Sequence, residues 1–329
     1  MRIVFSFLLP VALAMLPGGC IDLSDPGALV PPTADQDPLL PQVRVEVAGH
    51  TRALHLENFG DPANPAVLVL HGAASDFRGL KVFRALTDRY FIVLWDQRGS
   101  GLSERVTADE ITWAAAVEEI DAVREIFSLD RPVTLIGHSW GGAYAAMYLG
   151  RRPGVVRQAV LIEPLALTGG IMEGVFDEMF ELRMADEVYN DMGFFNRVLT
   201  PDDHARLDYR YLLQIKTNMT NFSCDPKRKP NWPVWRAGAF AEYVRQGRIA
   251  TGITSFDYDY TEGLKRFEPE VLIVASECSA LGYDFQEEQH LPLFNSARVE
   301  RIENAGHSLI VEDTEAMLEV IREYLVEYR

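Results

Sequence analysis

Three cysteines and 31 basic residues against 48 acidic ones are what this chain of 329 residues offers, and both shortages exclude something. The formal charge of −17 repels phosphate backbones and anionic headgroups, so a nucleic-acid partner is not expected. There is no phosphate-binding glycine loop, no dinucleotide fingerprint and no Cys/His spacing suited to zinc, so no cofactor and no metal are expected. The apolar run at residues 3–16 is broken by Pro10 and is short for a membrane span. No repeat recurs at a solenoid or propeller period.

What is present begins with Arg2, that apolar run and Pro17-Gly18-Gly19-Cys20, which read together as a secretory signal peptide over residues 1–20. A cysteine directly after two small residues resembles the lipobox of bacterial lipoproteins. This implies export to the periplasmic or extracellular side and membrane attachment through lipid on Cys20. Cys224 and Cys278 then remain, and an even pair in an oxidising compartment is expected to form a disulfide, two separate buried thiols being the other reading. Residues 21–42 are rich in Pro, Asp and Ala without periodicity, the composition of a linker.

From residue 43 the pattern is that of a folded domain. Residues 43–47 and 51–58 alternate apolar and polar, as the strands of a hairpin do. Residues 66–70 and 90–95 are short continuous apolar runs of the kind found in buried parallel strands. The first ends in His71-Gly72 and the second in Asp96-Gln97-Arg98-Gly99-Ser100-Gly101. Residues 77–88 and 108–127 carry helical periodicity. Residues 133–142 run from an apolar strand through Gly137-His138-Ser139-Trp140-Gly141 into a small-residue helix, which is the G-x-S-x-G nucleophile elbow. A serine at so sharp a turn sits in strained backbone. The two glycines remove side chains that would collide there, and the following helix points its N-terminus at an oxyanion. Residues 156–162, 271–275 and 297–302 are further strands, Gly306-His307 follows the last, and a helix at 314–328 closes the chain. Strands alternating with helices imply parallel crossovers, with the elbow at the carboxyl edge of the sheet, where ligand sites lie.

The order His71-Gly72, Asp96 to Gly101, Gly137 to Gly142 and Gly306-His307 resembles the α/β-hydrolase fold over nearly the whole domain. Within that fold, Asp96 to Gly101 with Ser139-Trp140-Gly141-Gly142 is most similar to the proline iminopeptidase branch. That branch usually carries His-Gly-Gly-Pro-Gly where this chain has His71-Gly72-Ala73-Ala74-Ser75. The resemblance implies a mostly parallel central sheet with helices on both faces, its core in two parts at residues 43–164 and 263–329, and a helical cap inserted at 165–262.

It also implies roles. Ser139 is the expected nucleophile and His307, last in chain order, its base; the backbone N–H groups of Ala73 and Trp140 are the expected oxyanion donors. The acid is open. The family's aspartate follows the strand at 271–275, but the chain reads Ser276-Glu277-Cys278-Ser279, and a neutral serine in the aspartate's place cannot stabilise an imidazolium. Glu163, at a strand end where haloalkane dehalogenases keep their acid, Glu277 and more distantly Asp284 are the candidates. Asp96 and Arg98 are expected to brace their loop. In the cap, Glu173, Asp177, Glu178, Glu181, Asp186 and Glu187 would either hold a substrate amino group or form a solvated face. Trp232, Trp235, Phe240 and Tyr243 would line an acyl pocket or form the cap's own core. The expected function is a serine hydrolase of carboxylesterase or aminopeptidase type, acting on a small ester, amide or short peptide through an acyl-enzyme. A proline iminopeptidase-like aminopeptidase and a catalytically inactive binding protein are the alternatives.

Overall fold

The computed structural model describes residues 31–73, 75–128, 130–179, 204–208, 211, 223–225, 236–247 and 255–327, with residues 176–179 as main chain only. Strand β1 (Gln42–Val47) turns through Ala48 and Gly49, both at positive φ, and pairs antiparallel with β2 (His50–Phe59). Strands β3 (Ala66–Leu70), β4 (Phe91–Trp95), β5 (Val133–His138), β6 (Val156–Ile162), β7 (Val271–Ser276) and β8 (Ala297–Ile302) complete an eight-stranded sheet of order β1-β2-β4-β3-β5-β6-β7-β8. Every pairing from β4 to β8 is parallel.

Continuous apolar runs make these strands because both sheet faces are covered. Side chains alternate across the sheet, so Leu68 and Leu70 join one core cluster while Val67 and Val69 join the other. Helices α1 (Trp113–Phe127) and α2 (Trp140–Arg151) contribute to the first cluster. A 3₁₀ helix at Phe77–Leu86 and the chain's C-terminal helices contribute to the second.

The helix expected over 108–127 is divided. Thr107 and Thr112 each start a separate piece, and Glu110, at the end of a short 3₁₀ turn, is drawn sideways by two bonds of 2.8 Å from Arg52. The linker expected over 21–42 is also shorter than its composition suggests. Thr33 and Ala34 are buried, the Ala34 N–H donates to the Leu102 carbonyl at 2.8 Å, and β1 already begins at Gln42. Residues 1–30, and with them the expected signal peptide and Cys20, lie outside the described residues.

Between β6 and β7 the chain makes a long excursion that contains α3 (Gly169–Met179) and α4 (Ala239–Arg245). Its two ends meet. Thr168 bridges Asp259, Gly169 N–H donates to Tyr258 O and Tyr260 N–H to Leu167 O, both at 2.9 Å. Leu165, Leu167, Phe256, Tyr258 and Tyr260 pack into the first core cluster, so these ends belong to the core rather than to a separate body. Helices α5 (Leu309–Glu312) and α6 (Thr314–Glu327) close the chain. Among the described residues no helix is long and apolar enough to cross a membrane.

Candidate active site

Ser139 stands between β5 and α2 with φ 56° and ψ −122°, a positive-φ conformation that few L-residues adopt. The spacing of the motif follows from contact distances. A Cβ on Gly137 would meet the Gly141 carbonyl oxygen at 2.2 Å, and one on Gly141 would meet the Leu70 carbonyl oxygen at 2.3 Å. The turn is fixed by Ser139 N–H donating to Ile162 O at 3.0 Å and by its own carbonyl accepting from Ala143 and Leu165.

The Ser139 Oγ lies 3.0 Å from His307 Nε2, and His307 Nδ1 lies 2.6 Å from Glu163 Oε2. A carboxylate only accepts, so Nδ1 carries the proton and Nε2 presents its lone pair to the serine hydroxyl. Glu163 is fully buried, has φ 39°, and accepts a second bond at 2.7 Å from Ser276 N–H. Burial pushes its carboxyl up, but the His307 imidazole and the Ser276 bonds outweigh this and hold it below the usual carboxylate range. His138, behind the serine, donates from Nε2 to the His307 carbonyl at 2.9 Å; burial and the neighbouring His307 push its imidazole down to about 3.

The other acid candidates are placed elsewhere. The Glu277 carboxylate accepts from Asn304 N–H at 2.8 Å, Asp284 is exposed on the short helix at Tyr283–Phe285, and the Ser279 hydroxyl accepts from Leu281 N–H at 3.0 Å. Glu277 is therefore corrected as a partner for the imidazole. Its side chain spans the gap between the loops that follow β7 and β8 and stops at main chain. Cys224 and Cys278 form a disulfide with Cα atoms 4.9 Å apart, beside the Ala305 carbonyl. Among the described residues the one cluster of metal-ligating types is Cys224, Cys278 and Glu277, and its two sulfurs are bonded to each other.

The end of β3 passes close to the serine, since a Cβ on Gly72 would meet Ser139 Cβ at 2.8 Å. This brings the 71–73 segment, with Ala73, alongside the start of α2 and Trp140. His71 locks the segment, with Nδ1 donating to Gly72 O at 2.8 Å while Nε2 accepts from Gln97 N–H at 3.0 Å. The Gln97 side-chain amide donates back to His71 O at 2.7 Å. Gln97 was not singled out by the sequence, where it is one polar residue in a turn. Asp96 braces the same region, accepting from Phe77 and Leu102 N–H groups and lying 2.7 Å from His55 Nδ1. Arg98 is paired with buried Glu119 at 2.9 Å.

In the excursion Phe240 packs at a tilt against His204, and Tyr243 packs on Tyr211 within a small cluster of its own. Glu173 is exposed; Glu181, Asp186, Glu187, Trp232, Trp235 and the side chains of Asp177 and Glu178 lie outside the described residues. What approaches the elbow instead is an aromatic group, Trp113, Tyr144, Phe256 and Tyr258 around Trp140. Beside it the buried Glu242 accepts from Gln246 at 2.9 Å and lies 3.8 Å from Arg245. Burial raises the Glu242 carboxyl, against the pull of Arg245, Gln246 and the Trp140 indole. Spacing alone gave no sign of this residue, because one Glu on a short helix reads as solvated.

Residues 65–314 match the family described as alpha/beta hydrolase fold. A proline iminopeptidase of Lactobacillus crispatus is 25% identical over 278 residues, 79% of this chain and 89% of that protein. One of Heyndrickxia coagulans is 36% identical over 101 residues, 30% of this chain and 34% of that protein. The solved structure of a proline iminopeptidase from Mycobacterium smegmatis superposes with TM-score 0.61 at 16% identity, covering 87% of this chain and 98% of that one. An esterase from Rhodococcus superposes with TM-score 0.58 at 17% identity, covering 88% and 100%. The elbow, the parallel sheet that carries it and the match over residues 65–314 have one conclusion: the chain belongs to the alpha/beta hydrolase fold family and, within it, resembles the proline iminopeptidases.

Proposed function

We propose that the protein is a serine hydrolase that cleaves a small ester or amide through an acyl-enzyme, with Ser139 as nucleophile, His307 as general base and acid, and Glu163 as the carboxylate that orients the imidazole. The observation that carries this reading is the continuous set of bonds from Ser139 Oγ through both His307 nitrogens to Glu163, at 3.0 and 2.6 Å. His307 Nε2 takes the serine proton as Oγ attacks the carbonyl carbon, and the negative charge of Glu163 stabilises the imidazolium so formed. The tetrahedral oxyanion faces the N–H groups of Ala73 and Trp140 and the positive end of α2. Collapse breaks the bond to the alcohol or amine, which leaves with the proton from Nε2. Water, activated by the same nitrogen, then releases the acid and restores the serine. No step calls for a cofactor.

The excursion at 165–262 is assigned as the cap, and the substrate is selected under it. Two observations favour an aminopeptidase variant of the same mechanism, the buried Glu242 of the cap beside Trp140 and the resemblance to proline iminopeptidases. The binding-protein reading rested on the missing aspartate after β7, and with Glu163 at 2.6 Å from the imidazole that support falls away. We assign residues 1–20 to a signal peptide and Cys20 to a lipid anchor on the exported chain.

The test compares turnover of a short p-nitrophenyl ester with that of a proline aryl-amide, each beside Ser139→Ala. Ester turnover is expected and is lost in the variant. Amide turnover lost in the same variant selects the aminopeptidase form, whereas turnover that survives Ser139→Ala overturns the mechanism.

A further inference from the structure

His307 enters the site from a loop that has left the sheet, and such a loop has main-chain donors to satisfy and an imidazole to aim. The chain leaves β8 at Ile302 and turns at Asn304, which has φ 54°. Three consecutive residues before His307 are then held from outside the loop. Asn304 N–H donates to the Glu277 carboxylate at 2.8 Å, Ala305 O accepts from Cys278 N–H at 3.1 Å, and Gly306 N–H donates to Glu312 Oε2 at 2.7 Å. The last of these is the shortest, is partly buried, and acts on the Ala305–Gly306 peptide, at the residue next to the one that carries the imidazole. Glu312 is itself anchored, for it ends α5 and its N–H donates to Ser308 O at 3.0 Å. A charged acceptor on a backbone N–H makes a strong and directional bond.

We propose that Glu312 is a positioning residue for the base: its carboxylate fixes the Gly306 peptide and thereby delivers His307 Nε2 to Ser139 Oγ. This rests on the assignment of Ser139, His307 and Glu163 above. It goes beyond that assignment because Glu312 touches neither the imidazole nitrogens nor the serine hydroxyl in any of the contacts that define the site. Two bonds at the ring ends set the imidazole plane only if the main chain that carries it is where they need it. A displacement of ~1 Å at a reacting group costs about a hundredfold in rate.

The experiment measures the rate of Ser139 labelling by a fluorophosphonate, which needs the base but no knowledge of the substrate, together with kcat, KM and the pH profile for a p-nitrophenyl ester. It uses the full chain and the variants Glu312→Ala, Glu312→Gln and Glu312→Asp, with thermal melting as the folding control. Glu312→Ala is expected to label and turn over about ten- to a hundredfold more slowly, with KM within about twofold and an unmoved pH midpoint. Glu312→Gln keeps an oxygen that accepts from Gly306 N–H, so it is expected to recover most of the rate. Glu312→Asp keeps the charge but loses reach, and is expected to be slower than Glu312→Gln. If Glu312→Ala does not fold, the order of Gln and Asp decides alone. Asp faster than Gln, or a shifted midpoint in Gln, would mean that the charge and not the acceptor matters, and the proposal falls. It falls equally if folded Glu312→Ala labels like wild type. Ester turnover that persists in Ser139→Ala is a separate outcome, which removes the triad itself.

Discussion

Glu163 holds its side chain to the imidazole from a backbone at φ 39°, a conformation that costs a non-glycine residue of order 1–3 kcal/mol. The strain is accepted at the one strand end from which a carboxylate reaches His307 while the Ser276 N–H satisfies its other oxygen. Glu163→Gln retains the shape and loses the charge, so kcat is expected to fall by about 10³–10⁴ with KM changed little, as steady-state kinetics on the ester will show. The linkage has a sign. The folded-state pKa of Glu163 lies below its ordinary value of 4.5, so its ionised form stabilises the fold above about that pH, and the stabilisation is lost as pH falls through the lowered value. The difference in melting temperature between wild type and Glu163→Gln is therefore expected to narrow as the solution is acidified below pH 4.5. That Ser139 and His307 would lie together was legible in the sequence because each sits in a local pattern. The choice between Glu163 and Glu277 was not, because it depends on which loop lies under the imidazole, a tertiary fact that neighbouring residues do not encode. Gln97 was read only as part of its motif, and its bonds to His71, 26 residues away, were hidden for the same reason.

The elbow is the element whose geometry the letters state most fully, since its two glycines at fixed spacing leave room for two carbonyl oxygens that a Cβ would meet at 2.2 and 2.3 Å. The division of the 108–127 helix is the opposite case, because the apolar period runs on through it while Thr112 and the pull of Arg52 on Glu110 stop the backbone. The disulfide joins the excursion to the loop after β7 across 54 residues of sequence. Closing a loop of that length stabilises a fold by about 2–4 kcal/mol, mainly by restricting the unfolded chain. The double variant Cys224→Ser/Cys278→Ser is expected to lose about that much in denaturant unfolding, and reduced wild type should match it.

At the scale of the whole molecule the sheet was readable from its apolar runs, and the antiparallel first hairpin from its alternation. Composition misjudged the entry to the domain, because Pro, Asp and Ala read as tether whether or not a few of them are packed. A chain beginning at residue 31 is expected to melt with the full-length protein. One beginning at residue 42 loses the buried Thr33 and Ala34 and the bonds of Ala34 to Leu102 O and of Leu56 to Pro41 O. That second truncation is expected to melt at least about 2–4 °C lower, as scanning calorimetry will show.

The bridge between Thr168 and Asp259 gives the molecule a seam. Roughly ninety residues lie between those two positions, while β5, β6, β7 and β8, whose ends lead on to Ser139, Glu163 and His307, pair directly with one another. A different roof with equally close ends would fit the same foundation. On the proposed function, exchanging that one segment would change what the site accepts while leaving Ser139, Glu163 and His307 in place, and the bond from Cys224 to Cys278 is the covalent clause that a replacement would have to renegotiate.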